Sequence, residues 1–304
     1  MKIGKVIKST GSNYWVLINE EVIIAKLVGK LRLLNSKHTN PVSVGDEVIL
    51  SDDLASIVDI VDRKNYLVRK STNLSKQTHV IASNLDEIFI VASLKQPRTS
   101  LGFIDRLLVT SEAYHISCSI IFNKIDLLNA EDSELLEDWR ALYDYIGYKT
   151  YAISAVNEES KVVINNLVQD KTVLFVGHSG VGKSTILNAI IPDKSLKMGQ
   201  ISTKHEKGMH TTTFAEMFQI KALNAFVIDT PGIKEFGLYA MEKHELSTYF
   251  PEMLKTKENC RFNNCLHVNE PNCAVIKEVE NGEIPLSRYE NYLNMLNNIE
   301  DTLK

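Results

Sequence analysis

Gly177-His178-Ser179-Gly180-Val181-Gly182-Lys183-Ser184 is the stretch that decides the fold, preceded by the apolar run Thr172–Val176 (TVLFV) and followed by Thr185–Ile191 (TILNAII). The run before it has the β-branched character of a strand buried on both faces, and the run after it has helical character. Two glycines and a GKS ending between strand and helix form a loop whose backbone N–H groups can wrap phosphates at a helix N-terminus. Lys183 then pairs with the β- and γ-phosphates, and the Ser184 hydroxyl is placed for Mg²⁺. The expected phosphate-binding set is Gly177, His178, Ser179, Gly180, Val181, Gly182, Lys183, Ser184 and Thr185.

Downstream, Asp229-Thr230-Pro231-Gly232 closes the apolar run AFVI (225–228). Asp229 is expected to hold Mg²⁺, and the Gly232 N–H to sense the γ-phosphate. Upstream, Asn123-Lys124-Ile125-Asp126 ends the run CSIIF, and Ser154-Ala155 end YAIS. A carboxylate in the plane of guanine accepts from N1–H and the exocyclic amine together, an arrangement that adenine lacks. A site built on that specific hydrogen bond selects GTP over ATP. Lys124 lies over the base in this reading, and Ala155 adds a backbone contact. The base loop therefore precedes the phosphate loop, the reverse of the ordinary order for such proteins. One sheet can hold both only if the chain is circularly permuted, which surface loops tolerate.

The runs EIFIVAS, CSIIF, TVLFV and AFVI alternate with helical stretches such as LLEDWRALYDYI (135–146), which implies a parallel α/β sheet. The first 65 or so residues differ. YWVLI (14–18), VIIAKL (22–27), DEVIL (46–50) and SIVDIV (56–61) read as short strands punctuated by Gly11, Gly29 and the Val44-Gly45-Asp46 turn. A small barrel follows, of oligonucleotide-binding or SH3-like type.

Towards the C-terminus, Cys260-x4-Cys265-x-His267-x5-Cys273 supplies three thiols and an imidazole within a polar segment, the donor set of a closed structural zinc site. Cys118, in the run ISCSIIF, is expected to be a buried core thiol. A closing helix carries Tyr289, Tyr292, Leu293, Leu296, Ile299 and Leu303 on one stripe, with Ser287 and Glu290 spaced as a capping box.

The chain has 304 residues, enough for two or three domains, and a net charge of −4 that excludes a globally basic nucleic-acid coat. Local basic excess at 67–100 and 194–221 points weakly to a phosphate-rich partner. No apolar stretch reaches the ~20 residues of a membrane span, and the N-terminus MKIGKVIKST has no apolar run of a leader, so a cytoplasmic protein is expected.

The order NKID before GHSGVGKST, the segment Gly208-Met209-His210-Thr211-Thr212, DTPGI and the cysteine spacing resemble the ribosome small-subunit-dependent GTPase A family, RsgA, over nearly the whole chain. The resemblance implies an oligonucleotide-binding (OB-fold) barrel at 1–66, a circularly permuted GTPase domain at 67–238 and a mostly helical zinc domain at 239–304. It implies a GTPase stimulated by the small ribosomal subunit and acting late in its maturation. It also implies GTP-dependent binding to the subunit and its rRNA, and release on hydrolysis. Thr212, or its neighbour Thr211, becomes the switch threonine on Mg²⁺. Ile233 stands where Ras-like enzymes carry the water-orienting glutamine, which leaves His210, beside Lys183, as the catalytic candidate. Expected ligands are GTP or GDP with Mg²⁺ and one structural Zn²⁺, in a monomer. The competing expectations are an RNA-binding module with incidental hydrolysis, and an ATPase or nucleotide-dependent scaffold.

Overall fold

The computed structural model describes residues 2–29, 31, 40–70, 78–191, 215–230 and 241–299. The chain forms two compact units. One contains residues 1–89, 155–177 and 182–235, and the other residues 90–154, 178–181 and 236–304.

The first unit opens with the barrel. Its strands are β1 (Lys2–Ser9), β2 (Tyr14–Ile18), β3 (Glu21–Leu27), β4 (Glu47–Leu50) and β5 (Ser56–Ile60). The cyclic pairing β1–β2–β3–β5–β4–β1 closes the sheet, with β3 and β5 parallel and the remaining pairs antiparallel. This selects the oligonucleotide-binding topology from the two barrels left open by periodicity. Alternation fills the interior, because Tyr14, Val16 and Ile18 of β2 point inwards with Val6, Val48, Leu50 and Ile57.

The Val44-Gly45-Asp46 turn is fixed from both sides. A Cβ on Gly45, whose φ is +94°, would lie 2.1 Å from the Ser83 carbonyl oxygen, so only glycine fits. The buried Asp46 carboxylate accepts from Arg63 Nε (2.7 Å), Ser83 Oγ (2.6 Å) and Ser43 N (2.8 Å). Ser83 ends the hairpin of β6 (Tyr66–Lys70) and β7 (Thr78–Ser83).

Beyond the barrel, β11 (Thr172–Val176) lies parallel to β13 (Ala225–Asp229), which pairs antiparallel with β12 (Glu216–Ile220). β12 in turn meets β1 of the barrel through Lys8 opposite Glu216. Helices α3 (Glu158–Val168) and α4 (Lys183–Ile190) also belong to this unit. Strand β8 (Glu87–Ala92) starts in this unit, where Asp86 and Thr172 exchange two hydrogen bonds, and ends in the other.

In the second unit, β9 (Ser117–Phe122) and β10 (Lys149–Ala152) run parallel. Around them are α1 (Leu101–Ala113) and α2 (Ala130–Ile146). The C-terminal region adds α5 (Pro251–Lys257), α6 (Ala274–Glu280) and α7 (Leu286–Asn298). On α2 the buried stripe is Leu136, Trp139, Tyr143 and Ile146.

Two expectations need correction. The closing helix α7 has Pro285 at its N-cap with no side-chain cap bond, so Ser287 and Glu290 lie inside the helix and form no capping box. A true capping box starts α2, where Asn129 and Asp132 exchange side-chain bonds with each other's N–H. Cys118 is only partly buried, because it sits near the start of β9 and not in its enclosed half. Leu303 lies outside the described residues.

Arg288 of α7 is fully buried and bonds Asp105 of α1 (Nη1–Oδ1, 2.7 Å) and Glu252 of α5 (Nε–Oε1, 2.7 Å). Asp105 also accepts from Tyr143 Oη (2.9 Å) and Asn291 Nδ2 (2.6 Å). Every oxygen of this carboxylate is thereby matched inside the unit, which joins α1 and α2 to α5 and α7.

Candidate functional site

The phosphate loop takes its shape from its glycines. Gly177, Gly180 and Gly182 all have positive φ, and Gly182, at +101°, is the N-cap of α4. Val181 is buried and anchors the loop, whereas Ser179, Ser184 and Thr185 are exposed. In the first unit, Lys183 Nζ donates to the Gly177 carbonyl at 2.7 Å. Burial pulls the Lys183 ammonium below its ordinary pKa, and the nearby Asp229 carboxylate opposes this.

Asp229 stands at the exposed end of β13, opposite Glu216 on β12. Desolvation and then the Glu216 charge raise its pKa, while Lys183 and the Thr230 N–H lower it. Glu216 is paired with Lys8 (3.3 Å) at this strand end, and the Asp229 carboxylate beside it is an oxygen ligand of the kind a hard divalent cation takes. Glu216 is a neighbour that the sequence reading did not single out. Its alternating context, EMFQI, was the available signal.

In the second unit, the base loop leaves β9 through the buried Asn123. The Asn123 N–H donates to the Ala92 carbonyl (2.8 Å), and its side-chain amide donates to the Val181 carbonyl (2.8 Å). Asn123 thus fastens the base loop to the phosphate loop, 58 positions away. Lys124 adopts the left-handed conformation (φ 68°) and its ammonium donates to the Gln96 carbonyl. Ser154 Oγ donates to Asp126, and Ile125 N to the Ile153 carbonyl (3.3 Å). Asp126 remains exposed, as does Ile125. The α1 helix also borders the phosphate loop, since the Phe103 and His178 rings stack at 3.6 Å.

The C-terminal region gathers Cys260, Cys265, His267 and Cys273, whose donor atoms all lie within 4.8 Å of one another. Tetrahedral coordination with Zn–S bonds of ~2.3 Å places thiolates about 3.8 Å apart. The Cys260 and Cys273 sulfurs are 3.9 Å apart, and His267 Nδ1 faces both, at 3.6 and 3.3 Å. Burial pushes the Cys265 thiol up to about 12 and raises Cys273. It also lowers the His267 imidazole, which is therefore neutral and able to donate a lone pair. Three sulfurs and one imidazole nitrogen converging in this way fit a metal ion, whose binding would displace the thiol protons. Glu270 shapes the loop by accepting from the N–H groups of Leu266, Val268 and Asn269, and Tyr289 and Tyr292 donate to the His267 and Leu266 carbonyls.

Met209, His210, Thr211, Thr212, Gly232 and Ile233 lie outside the described residues, and Ala155 is half-buried just after Ser154.

Residues 60–239 match the family model described as RsgA GTPase. The chain belongs to the RsgA GTPase family. It is accordingly a GTPase. Among its relatives is the small ribosomal subunit biogenesis GTPase RsgA of Azobacteroides pseudotrichonymphae, 46% identical over 98% of this chain and 97% of that protein. The protein of the same name from Bacteroides fragilis strain YCH46 gives the same identity and coverage. Among solved structures, YjeQ from Thermotoga maritima has a TM-score of 0.78 at 32% identity, covering 98% of both chains. YloQ, described as a circularly permuted GTPase, has a TM-score of 0.75 at 32% identity, covering 98% of this chain and 95% of its own. The permuted order of the RsgA fold explains why β9 and its base loop come before β11 and the phosphate loop.

Proposed function

We propose that this RsgA GTPase acts in late maturation of the small ribosomal subunit, binding the subunit and its rRNA with GTP loaded and leaving after hydrolysis. The chain works as a cytoplasmic monomer, with a barrel at 1–66, the GTPase domain at 67–238 and a zinc domain at 239–304. Among the described residues no helix is long and apolar enough to cross a membrane.

The bond from Asn123 to Val181 carries the nucleotide reading, because it holds a guanine-selective loop against a phosphate-wrapping one. One GTP lies with its guanine on Asp126, Lys124 over the base and the Ser154-Ala155 backbone at the guanine oxygen. Its phosphates occupy the loop from Gly177 to Thr185. Lys183 then exchanges the Gly177 carbonyl for phosphate oxygens, a stronger charge-assisted partner. Ser184, Asp229 and Thr212 would hold Mg²⁺, which supplies positive charge against the phosphates. Gly232 senses the γ-phosphate, and His210 orients the attacking water. Cys260, Cys265, His267 and Cys273 hold one structural zinc ion.

The test is the rate of GTP hydrolysis with and without purified small subunits. Stimulation of about tenfold or more is expected on the scale of supplied catalytic groups. A rate indifferent to the subunit would overturn the reading.

A further inference from the structure

A cavity of about 350 Å³ opens within the second unit between α1 and α7, bounded by Phe103, Arg106, His178, Asn291, Asn294 and Met295. That volume falls in the range of small-ligand sites, ~300–1,000 Å³. The lining has a particular chemistry. Phe103 and His178 are stacked with their planes 25° apart, so together they present an aromatic platform. His178 contributes its backbone to the phosphate loop, but its ring is turned to α1. Arg106 is exposed and its guanidinium has no hydrogen bond or ion pair among the described residues. Asn294 is likewise exposed; Asn298 donates to its backbone carbonyl, and its side-chain amide has no hydrogen bond among the described residues.

Among the described residues no carboxylate lines the cavity. Asp105, next to Arg106 in the chain, is buried and is satisfied by Arg288, Tyr143 and Asn291. The cavity therefore offers a π face, one positive charge and carboxamides that both donate and accept. Apolar side chains contribute little beyond Met295. A hydrophobic peptide anchor would leave the guanidinium and amides unmatched, and an acidic peptide would not use the aromatic face.

We propose that this cavity receives one unstacked nucleotide of single-stranded RNA, with its base on the Phe103–His178 pair and a phosphate on Arg106. Single-stranded RNA is recognised in this manner, through bases splayed onto aromatic side chains and hydrogen-bonded at their edges. The assignment rests on the reading that the partner is the small ribosomal subunit, and it names a point of RNA contact beside the phosphate loop. Because His178 belongs to both the cavity and the loop, an RNA base seated here touches the nucleotide-binding segment directly.

The experiment uses the full chain loaded with a non-hydrolysable GTP analogue and a short single-stranded oligoribonucleotide carrying photo-crosslinking thiouridine. Crosslinks are expected on peptides containing Phe103 or His178. Arg106→Gln should weaken binding roughly fivefold and reduce the slope of log affinity against log salt by ~0.7, the value for one phosphate contact on a single strand. Asn294→Asp, which places a carboxylate in the cavity, should weaken it further. Both side chains are exposed, so the variants should fold, and their basal GTP hydrolysis should equal that of the parent. Unchanged affinity and slope in both variants, or crosslinks confined to other peptides, overturns the proposal. Variants that bind oligonucleotide normally yet lose the subunit assign the cavity to a protein, which also overturns it. If the parent itself is not stimulated by small subunits, the functional reading fails; if it is, and the variants match it throughout, only the cavity assignment falls.

Discussion

The C-terminal region and the nucleotide loops handle their polar groups in opposite ways. In the C-terminal region, charges are enclosed and matched to one another. Arg288, at 0% exposure, is clasped by Asp105 and Glu252, and three thiols converge with His267. In the nucleotide loops, the reactive ends rest on backbone carbonyls or a neighbouring hydroxyl. Lys183 holds Gly177, Lys124 holds Gln96, and Asp126 accepts from Ser154. Breaking an enclosed pair strands a buried charge, whereas a lysine that leaves a backbone carbonyl can take water or a phosphate oxygen in its place. The first region is built to persist and the second to exchange partners.

The largest effect should come from the metal cluster. Cys265→Ser, or chelation, should release about one metal ion per chain and unfold the C-terminal region, since structural zinc contributes ~10–16 kcal/mol in small zinc-binding peptides. Metal analysis with proteolysis of the region would check this, and a metal-free region that stays folded would break the contrast. Next, Asp126→Asn should lower GTP affinity by a factor of roughly 10⁴ and favour xanthine nucleotides, with thermal stability almost unchanged. A large fall in stability would show that Asp126 is part of the framework. Third, Arg288→Met should cost about 3–5 kcal/mol by leaving the Asp105 and Glu252 carboxylates buried without a countercharge. Trp139 fluorescence in a Trp15→Phe background isolates this unit during urea unfolding, and guanine selectivity should not move. The smallest effect is expected at the part-exposed Lys8–Glu216 pair (3.3 Å), where Lys8→Ala should change stability by about 0–1 kcal/mol.

Legibility in the sequence followed the same division. Strands such as TVLFV and AFVI are continuous apolar runs, and β11 matches its sequence reading residue for residue. The loops after them use glycine, asparagine and aspartate for backbone reasons that are local, so their positions could be read. Strand β1 was not separated out because Lys2, Lys5 and Lys8 interrupt its apolar residues, although Gly4, Val6 and Ile7 are buried. Strand β12 is equally mixed, and its place is set by pairing with β13 and β1, which no local pattern encodes. The Asp105–Glu252–Arg288 cluster was invisible for another reason. Single charged residues 36 positions or more apart look like surface groups until the fold encloses them. The cysteine spacing, by contrast, announced itself within fourteen residues, since a metal site has to be assembled from donors of a few types.

Strand β1 has three neighbours, β2, β4 and β12. Its first residues close the barrel against β4, and Lys8 meets Glu216 on β12. Removing the N-terminal sixty-odd residues would therefore not cut at a neutral linker. It would strip a neighbour from β12 and leave a raw strand edge, the kind of surface on which chains stick to one another. A shortened protein of that sort should precipitate or self-associate, whereas the lone barrel, closed upon itself, should stay dispersed.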